Sequence, residues 1–118
     1  VQASGHNWGK DTTPILNVRG ENGEKERFGI IVAADCLYMP WMHDELLDSI
    51  DECLSDTGVA LLPFCLHGNT KDDDVWRIVD RAKEKGFRVN LLEPKQLPPP
   101  GPGMDAKQGF VNTVRLTR

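Results

Sequence analysis

Residues 28–38 read Phe-Gly-Ile-Ile-Val-Ala-Ala-Asp-Cys-Leu-Tyr, an apolar run that stops at a carboxylate. A strand without polar alternation needs cover on both faces, so the run predicts a central strand over Phe28 to Ala34. In open α/β sheets ligands lie just beyond the carboxyl ends of such strands. Asp35 stands at that end, and the phenol of Tyr38 follows three residues later. Asp is also a common turn cap, and on position alone that simpler role stays open.

The flanking sequence alternates helix and strand signals. Thr12, Thr13 and Pro14 predict a short helix within Lys10 to Val18. The charged, Gly-containing stretch Gly20 to Arg27 predicts a surface loop. After Tyr38, Met42, Leu46, Leu47, Ile50, Cys53 and Leu54 recur at helical spacing, with Gly58 as the expected stop. Val59 to Leu66 predicts a second buried strand, with a bulge or early end at Pro63. Thr70 and the run Asp72 to Asp74 predict the start of another helix, which Gly86 closes. Phe87 to Leu92 and Gly109 to Thr117 predict two more strands, antiparallel to each other because no helix separates them. Between them lies a stiff, irregular stretch that includes Pro98-Pro99-Pro100-Gly101-Pro102-Gly103.

The order predicts an α/β domain. Only four strands are visible, and helices on one face would leave the other bare. The expectation is a single partial domain over residues 1–118, which either self-associates through the exposed sheet face or continues upstream of Val1. The net charge of −4 disfavours a chain whose first task is gripping nucleic acid. No stretch approaches the roughly 20 apolar residues of a membrane span. Cys36, Cys53 and Cys65 fit neither a disulfide framework nor a zinc-ligand pattern, so no metal site is expected and a reducing, cytoplasmic setting is.

Two motifs bring a resemblance. Gly5-His6-Asn7-Trp8-Gly9 is similar to a Trp-Gly element, and Ala34-Asp35-Cys36-Leu37-Tyr38 to an acidic-x-x-aromatic element, of class I S-adenosylmethionine-dependent methyltransferases. The chain resembles the C-terminal half of their Rossmann-like sheet, which ends in an antiparallel hairpin. More narrowly it resembles family sixteen, which includes protein-lysine, elongation-factor and nicotinamide N-methyltransferase-like enzymes. The resemblance implies S-adenosyl-L-methionine as cofactor, with Trp8 along its adenine end and Ala34 lining it through the backbone. It implies that Asp35 and Tyr38 border the opening for an amine acceptor. That acceptor would be a protein lysine or N-terminal amine, of a translation factor for example, or a nicotinamide-like small molecule.

Other features depart from this pattern. No Gly-x-Gly turn follows a first strand and no acid closes a second, so little cofactor affinity is expected of this segment alone. Trp8 also suits a simple core anchor. His6 and His67 are read as solvated or as plain hydrogen-bond partners, His43 as surface, and Trp41 and Trp76 as packing residues. A receiver-type phosphoacceptor domain using Asp35 is a second reading, although nothing is placed to hold magnesium. A catalytically inactive interaction module is a third.

Overall fold

The computed structural model describes residues 3–17, 26–66, 69–98, 101–103 and 109–118. His67, residues 20–25 of the expected surface loop and much of the proline-rich stretch lie outside the described residues. A short helix α1 (Thr13–Asn17) precedes strand β1 (Phe28–Val32). A 3-10 turn, Pro40–Met42, leads into helix α2 (His43–Cys53), and strand β2 (Leu54–Phe64) follows directly. Helices α3 (Asp72–Trp76) and α4 (Ile78–Glu84) come next, then strands β3 (Arg88–Leu91), β4 (Lys95–Gln96) and β5 (Phe110–Thr117).

The main sheet runs β1-β2-β5-β3, and β4 also pairs with β5. β1 and β2 are parallel, and β5 is antiparallel to both β2 and β3. The expected helix–strand alternation and the antiparallel ending are therefore present. The expected single helix over 70–85 is split at Arg77, and β4 is a short addition that the proline-rich sequence did not announce.

One face of the sheet carries the core. Ala60, Leu62 and Phe64 of β2 lie beside Leu116, Val114 and Asn112 of β5, and this face packs on Leu46, Leu47 and Ile50 of α2. Val75, Ile78 and Ala82 complete the helical side. Trp76 meets Phe64 edge-on at 5.1 Å between ring centroids, as expected of a packing residue. Trp41 does not pack: it is 71% exposed on the 3-10 turn.

The other face is open along β1. Ile30 and Val32, paired with Val59 and Leu61, are 71% and 60% exposed. Within this chain β1 is thus the edge strand; its bare face is the one that helices on a single side predicted, whereas cover on both sides, expected of the apolar run, is not present. Its apolar sequence meets the requirement for cover only on the side of Ile31 and Ala33.

Several local expectations fail for identifiable reasons. Gly58 does not stop α2, which ends at Cys53 and runs straight into extended Leu54. It lies within β2, where an added Cβ would come within 2.7 Å of Leu54 Cδ1 and 2.9 Å of the Phe28 carbonyl oxygen. The β1–β2 register shifts beside it, between Phe28 and Ile30, so the glycine serves close backbone approach. Pro63 makes no bulge, but β2 ends one residue after it, at Phe64 and short of the expected Leu66. Pro63 keeps register with Thr113, and its missing N–H faces β1 where β1 has already ended; its carbonyl still accepts the Asp35 N–H at 2.8 Å. Thr70 does not cap α3 but donates its hydroxyl to the Tyr38 carbonyl at 3.1 Å.

The ends of the two long connections are well closed. Gly86, at φ +94°, turns the chain out of α4 while the Gly86 and Phe87 amides bond the Lys83 and Ala82 carbonyls. The Arg118 guanidinium bonds the Asp51 carboxylate and the Asp51 and Leu54 carbonyls, and lies 5.6 Å from the Phe87 ring centroid. It thereby satisfies carbonyls that the end of α2 leaves without helical partners.

Candidate active site

β1 ends at Val32, and the chain continues beside β2 through the Ala33 and Asp35 amides, which donate to Leu61 and Pro63 carbonyls. Asp35 then adopts φ +53°, the left-handed region, as the described non-glycine residue that does so. Asp tolerates that region better than most residues, but it still marks a backbone held by its surroundings. The turn it makes lifts the Asp35 and Tyr38 side chains to the surface. Together with Asn69 and Thr70 they line a concavity of about 320 Å³ at the carboxyl end of the strands.

A second, apolar groove of about 350 Å³ runs along the β1 edge. Trp8, Ile15, Ile31, Ala33, Cys36 and Ile50 contribute to its walls. Trp8 is half-buried against the core and also faces a neighbouring concavity with Met39, Met42 and Glu45. Trp8 and Cys36 therefore share one groove, and Asp35 and Tyr38 line a separate concavity that has no lining residue in common with it. Ala34 is exposed and is not among the groove residues, whereas its neighbours Ala33 and Cys36 are.

The loop bearing Trp8 is tied to α2. Ser49 Oγ accepts the Gly9 N–H at 2.8 Å and lies 2.9 Å from His6 Nε2, so of the two roles the sequence left open His6 takes that of hydrogen-bond partner. Thr12 Oγ1 donates to Glu52 at 2.7 Å, one turn further along. His43 is not a surface residue. It is fully buried, with Nε2 2.8 Å from the Leu37 carbonyl oxygen. The signal was present in the sequence: His43, Leu46, Leu47 and Ile50 stand at i, i+3, i+4 and i+7, so His43 starts the buried stripe.

Burial pushes the Cys36 thiol upward, and the neighbouring Asp35 carboxylate adds to this. Cys65 is raised by the same two causes in the same order. Neither is an activated nucleophile. Among the described residues no group of three His, Cys, Asp or Glu side chains is arranged to hold a metal ion. Nor is any helix there long and apolar enough to cross a membrane.

The residues present fit part of an adenosyl cofactor. The indole of Trp8, in a groove walled by Ile15, Ile31 and Ile50, offers a stacking face for a base. No glycine-rich turn opening a helix is found among the described residues to hold the amino-acid part.

The sheet and its helices define a mixed α/β fold of the Rossmann-like class I methyltransferase type. A crystal structure of precorrin-6y C5,15-methyltransferase from Geobacter metallireducens superposes with a TM-score of 0.53 at 16% identity, covering 76% of this chain and 43% of that one. In sequence the chain is related to the protein N-terminal and lysine N-methyltransferase EFM7 of Gibberella zeae, 32% identical over 104 residues and 85% of this chain. The match covers 39% of that relative's length. No protein-family model matches the chain.

Proposed function

We propose that this chain forms the acceptor-side part of an S-adenosyl-L-methionine-dependent N-methyltransferase. Its acceptor would be a protein amine, a lysine or N-terminal α-amine, with a nicotinamide-like small molecule as the other candidate. A translation factor is one protein that would carry such an amine. The observation that supports the reading is the turn after β1: Cys36 lines the groove that holds Trp8, and its sequence neighbour Asp35 lines a separate concavity with Tyr38. The sequence relationship to an N-terminal and lysine N-methyltransferase favours an amine acceptor. The remainder of the cofactor site would come from residues outside this chain.

The cofactor supplies an electrophilic methyl group on a sulfonium. The chain's own residues supply position and hydrogen bonding. Trp8 would stack on the adenine. The Asp35 carboxylate would accept a hydrogen bond from the acceptor N–H and, as general base, take up the proton that the ammonium must shed to become the neutral nucleophile. The Tyr38 hydroxyl would orient the same nitrogen from the other side of the turn. Transfer needs the nitrogen in line with the methyl at about 3–3.5 Å.

In the full protein, Trp8→Ala is expected to weaken cofactor binding by about 1–3 kcal/mol, which is roughly tenfold or more. Calorimetric titration with S-adenosyl-L-methionine measures this, and an unchanged affinity would remove Trp8 from the site.

A second reading has its own observation. Ile30 and Val32 are exposed side by side on one face of β1, next to the half-buried Val59 and Leu61 of β2, an apolar surface of the kind that drives association. We propose that the 118-residue chain on its own self-associates through this face. Sedimentation should find dimers or larger species that Ile30→Lys with Val32→Lys dissolves. A concentration-independent monomer would count against the proposal. The receiver-type reading gains no support, because no cluster of metal ligands surrounds Asp35 among the described residues.

A further inference from the structure

Buried polar side chains are scarce in this fold: among the described residues they are Thr12, His43 and Ser49. Two of the three stand on α2, and each is bonded to a different rim of the proposed site. Ser49 holds the Trp8 loop through the Gly9 amide and His6. His43 holds the turn after β1 through the Leu37 carbonyl, between Asp35 and Tyr38.

The chemistry of the second bond is specific. A carbonyl oxygen only accepts, so His43 Nε2 must carry a proton. Nδ1 is buried with no hydrogen-bond partner among the described residues, which suits a bare lone pair and not a second N–H. Burial is the leading cause that pushes the His43 pKa below the ordinary histidine value; the Leu37 bond opposes it, Arg81 of α4 adds to it, and Asp44 of α2 opposes it. Arg81 is itself fixed by a 2.8 Å bond to the Pro40 carbonyl, which holds the cation that acts on His43 in place. His43 is thus the neutral Nε2–H tautomer.

Six residues of helix separate the two anchors, roughly 9 Å along its axis. A helix packed on a sheet does not stretch, so the interval between the rims is fixed by sequence. We infer that α2 is the spacer of the site: Ser49 and His43 are positioning residues that set the Trp8 rim and the Asp35–Tyr38 rim at a constant separation. What the rims bind rests on the methyltransferase reading above; the anchoring does not.

A pH dependence follows. The unfolded chain protonates His43 at the ordinary value, and the folded chain only at a lower pH. His43's contribution to stability is therefore complete above the ordinary value and is lost as pH falls through the folded one.

Nuclear magnetic resonance of the 15N-labelled protein tests the inference without any assay of activity. At neutral pH the His43 ring should be in the Nε2–H form. Ser49→Ala should speed exchange of the Gly9 amide at least tenfold while leaving the Asp35 amide unchanged. His43→Ala should do the reverse. His43→Gln, whose amide nitrogen can donate to the Leu37 carbonyl, should restore slow exchange at Asp35. An Nδ1–H tautomer or a charged ring at neutral pH would overturn the inference, as would either variant loosening both rims alike. If His43→Ala does not fold, the wild-type tautomer and the glutamine variant decide. In a methyl-transfer assay Ser49→Ala should raise KM for S-adenosyl-L-methionine, whereas His43→Gln should leave it unchanged. A protein with both anchors confirmed and no transferase activity would sink the proposed chemistry and leave the spacer standing.

Discussion

Asp35→Asn is expected to lower methyl-transfer turnover in the full protein by roughly 100-fold, the scale of a positioned acid–base group. Cofactor affinity should stay within about twofold of the starting value, because Asp35 lies beyond the groove that Trp8 lines. The substitution isolates charge from backbone. Asn tolerates the left-handed conformation that Asp35 holds at φ +53°, so the turn should survive. Asp35→Gly, which accepts that conformation without strain, provides the second arm. Both variants should fold, bind cofactor and transfer poorly. Turnover at saturating acceptor is the measurement, with a parallel cofactor titration. Unimpaired turnover in Asp35→Asn would leave Asp35 as a turn former only.

The largest stability effect should come from Leu47→Ala, at about 2–5 kcal/mol. Leu47 is fully buried in the core between α2 and the sheet. Its loss leaves a cavity that the surrounding Leu46, Ile50 and Leu62 cannot close without moving a helix. Domains of this size hold only about 5–15 kcal/mol in all, so the variant should sit near the edge of folding. Urea unfolding followed by far-ultraviolet dichroism would show a lower midpoint at similar slope. Trp41→Ala is the control, because a side chain 71% exposed should change stability by no more than about 0.5 kcal/mol. A midpoint shift in Leu47→Ala no larger than in Trp41→Ala would mean that α2 is not packed as described.

The sequence carried the architecture further than it carried the surroundings of single residues. Strand and helix positions follow from apolar period, and the antiparallel pairing of β3 with β5 followed from the lack of a helix between them. The bare face of β1 was legible from the strand count; the apolar run alone suggested a central strand, because apolar content states a demand for cover and not whether cover is present. Gly58 was misread because a glycine after a helical stripe looks like a stop, while its actual constraint is a close approach to Phe28, distant in sequence. Trp41 was misread from residue type alone; a 3-10 turn points its ring outward.

At the candidate site the legible part was Asp35 at the end of β1, since strand ends can be read from sequence. The part that was not legible is what fixes it. Thr70 bonds Tyr38 from 32 residues away, and Ser49 bonds Gly9 from 40 away; no local pattern encodes either. His43 was the exception, because its place on the stripe of Leu46, Leu47 and Ile50 was visible and a polar residue type masked it.

The strand order has a consequence for how the chain is made. β3 has β5 as its partner in the sheet, yet β5 is separated from it in sequence by the proline-rich stretch. On the ribosome, a nascent chain that has emerged only as far as that stretch holds α4 and β3 with no strand between them and β2. Its inner edge stays open to other nascent chains until residues 110–117 arrive and fill the gap.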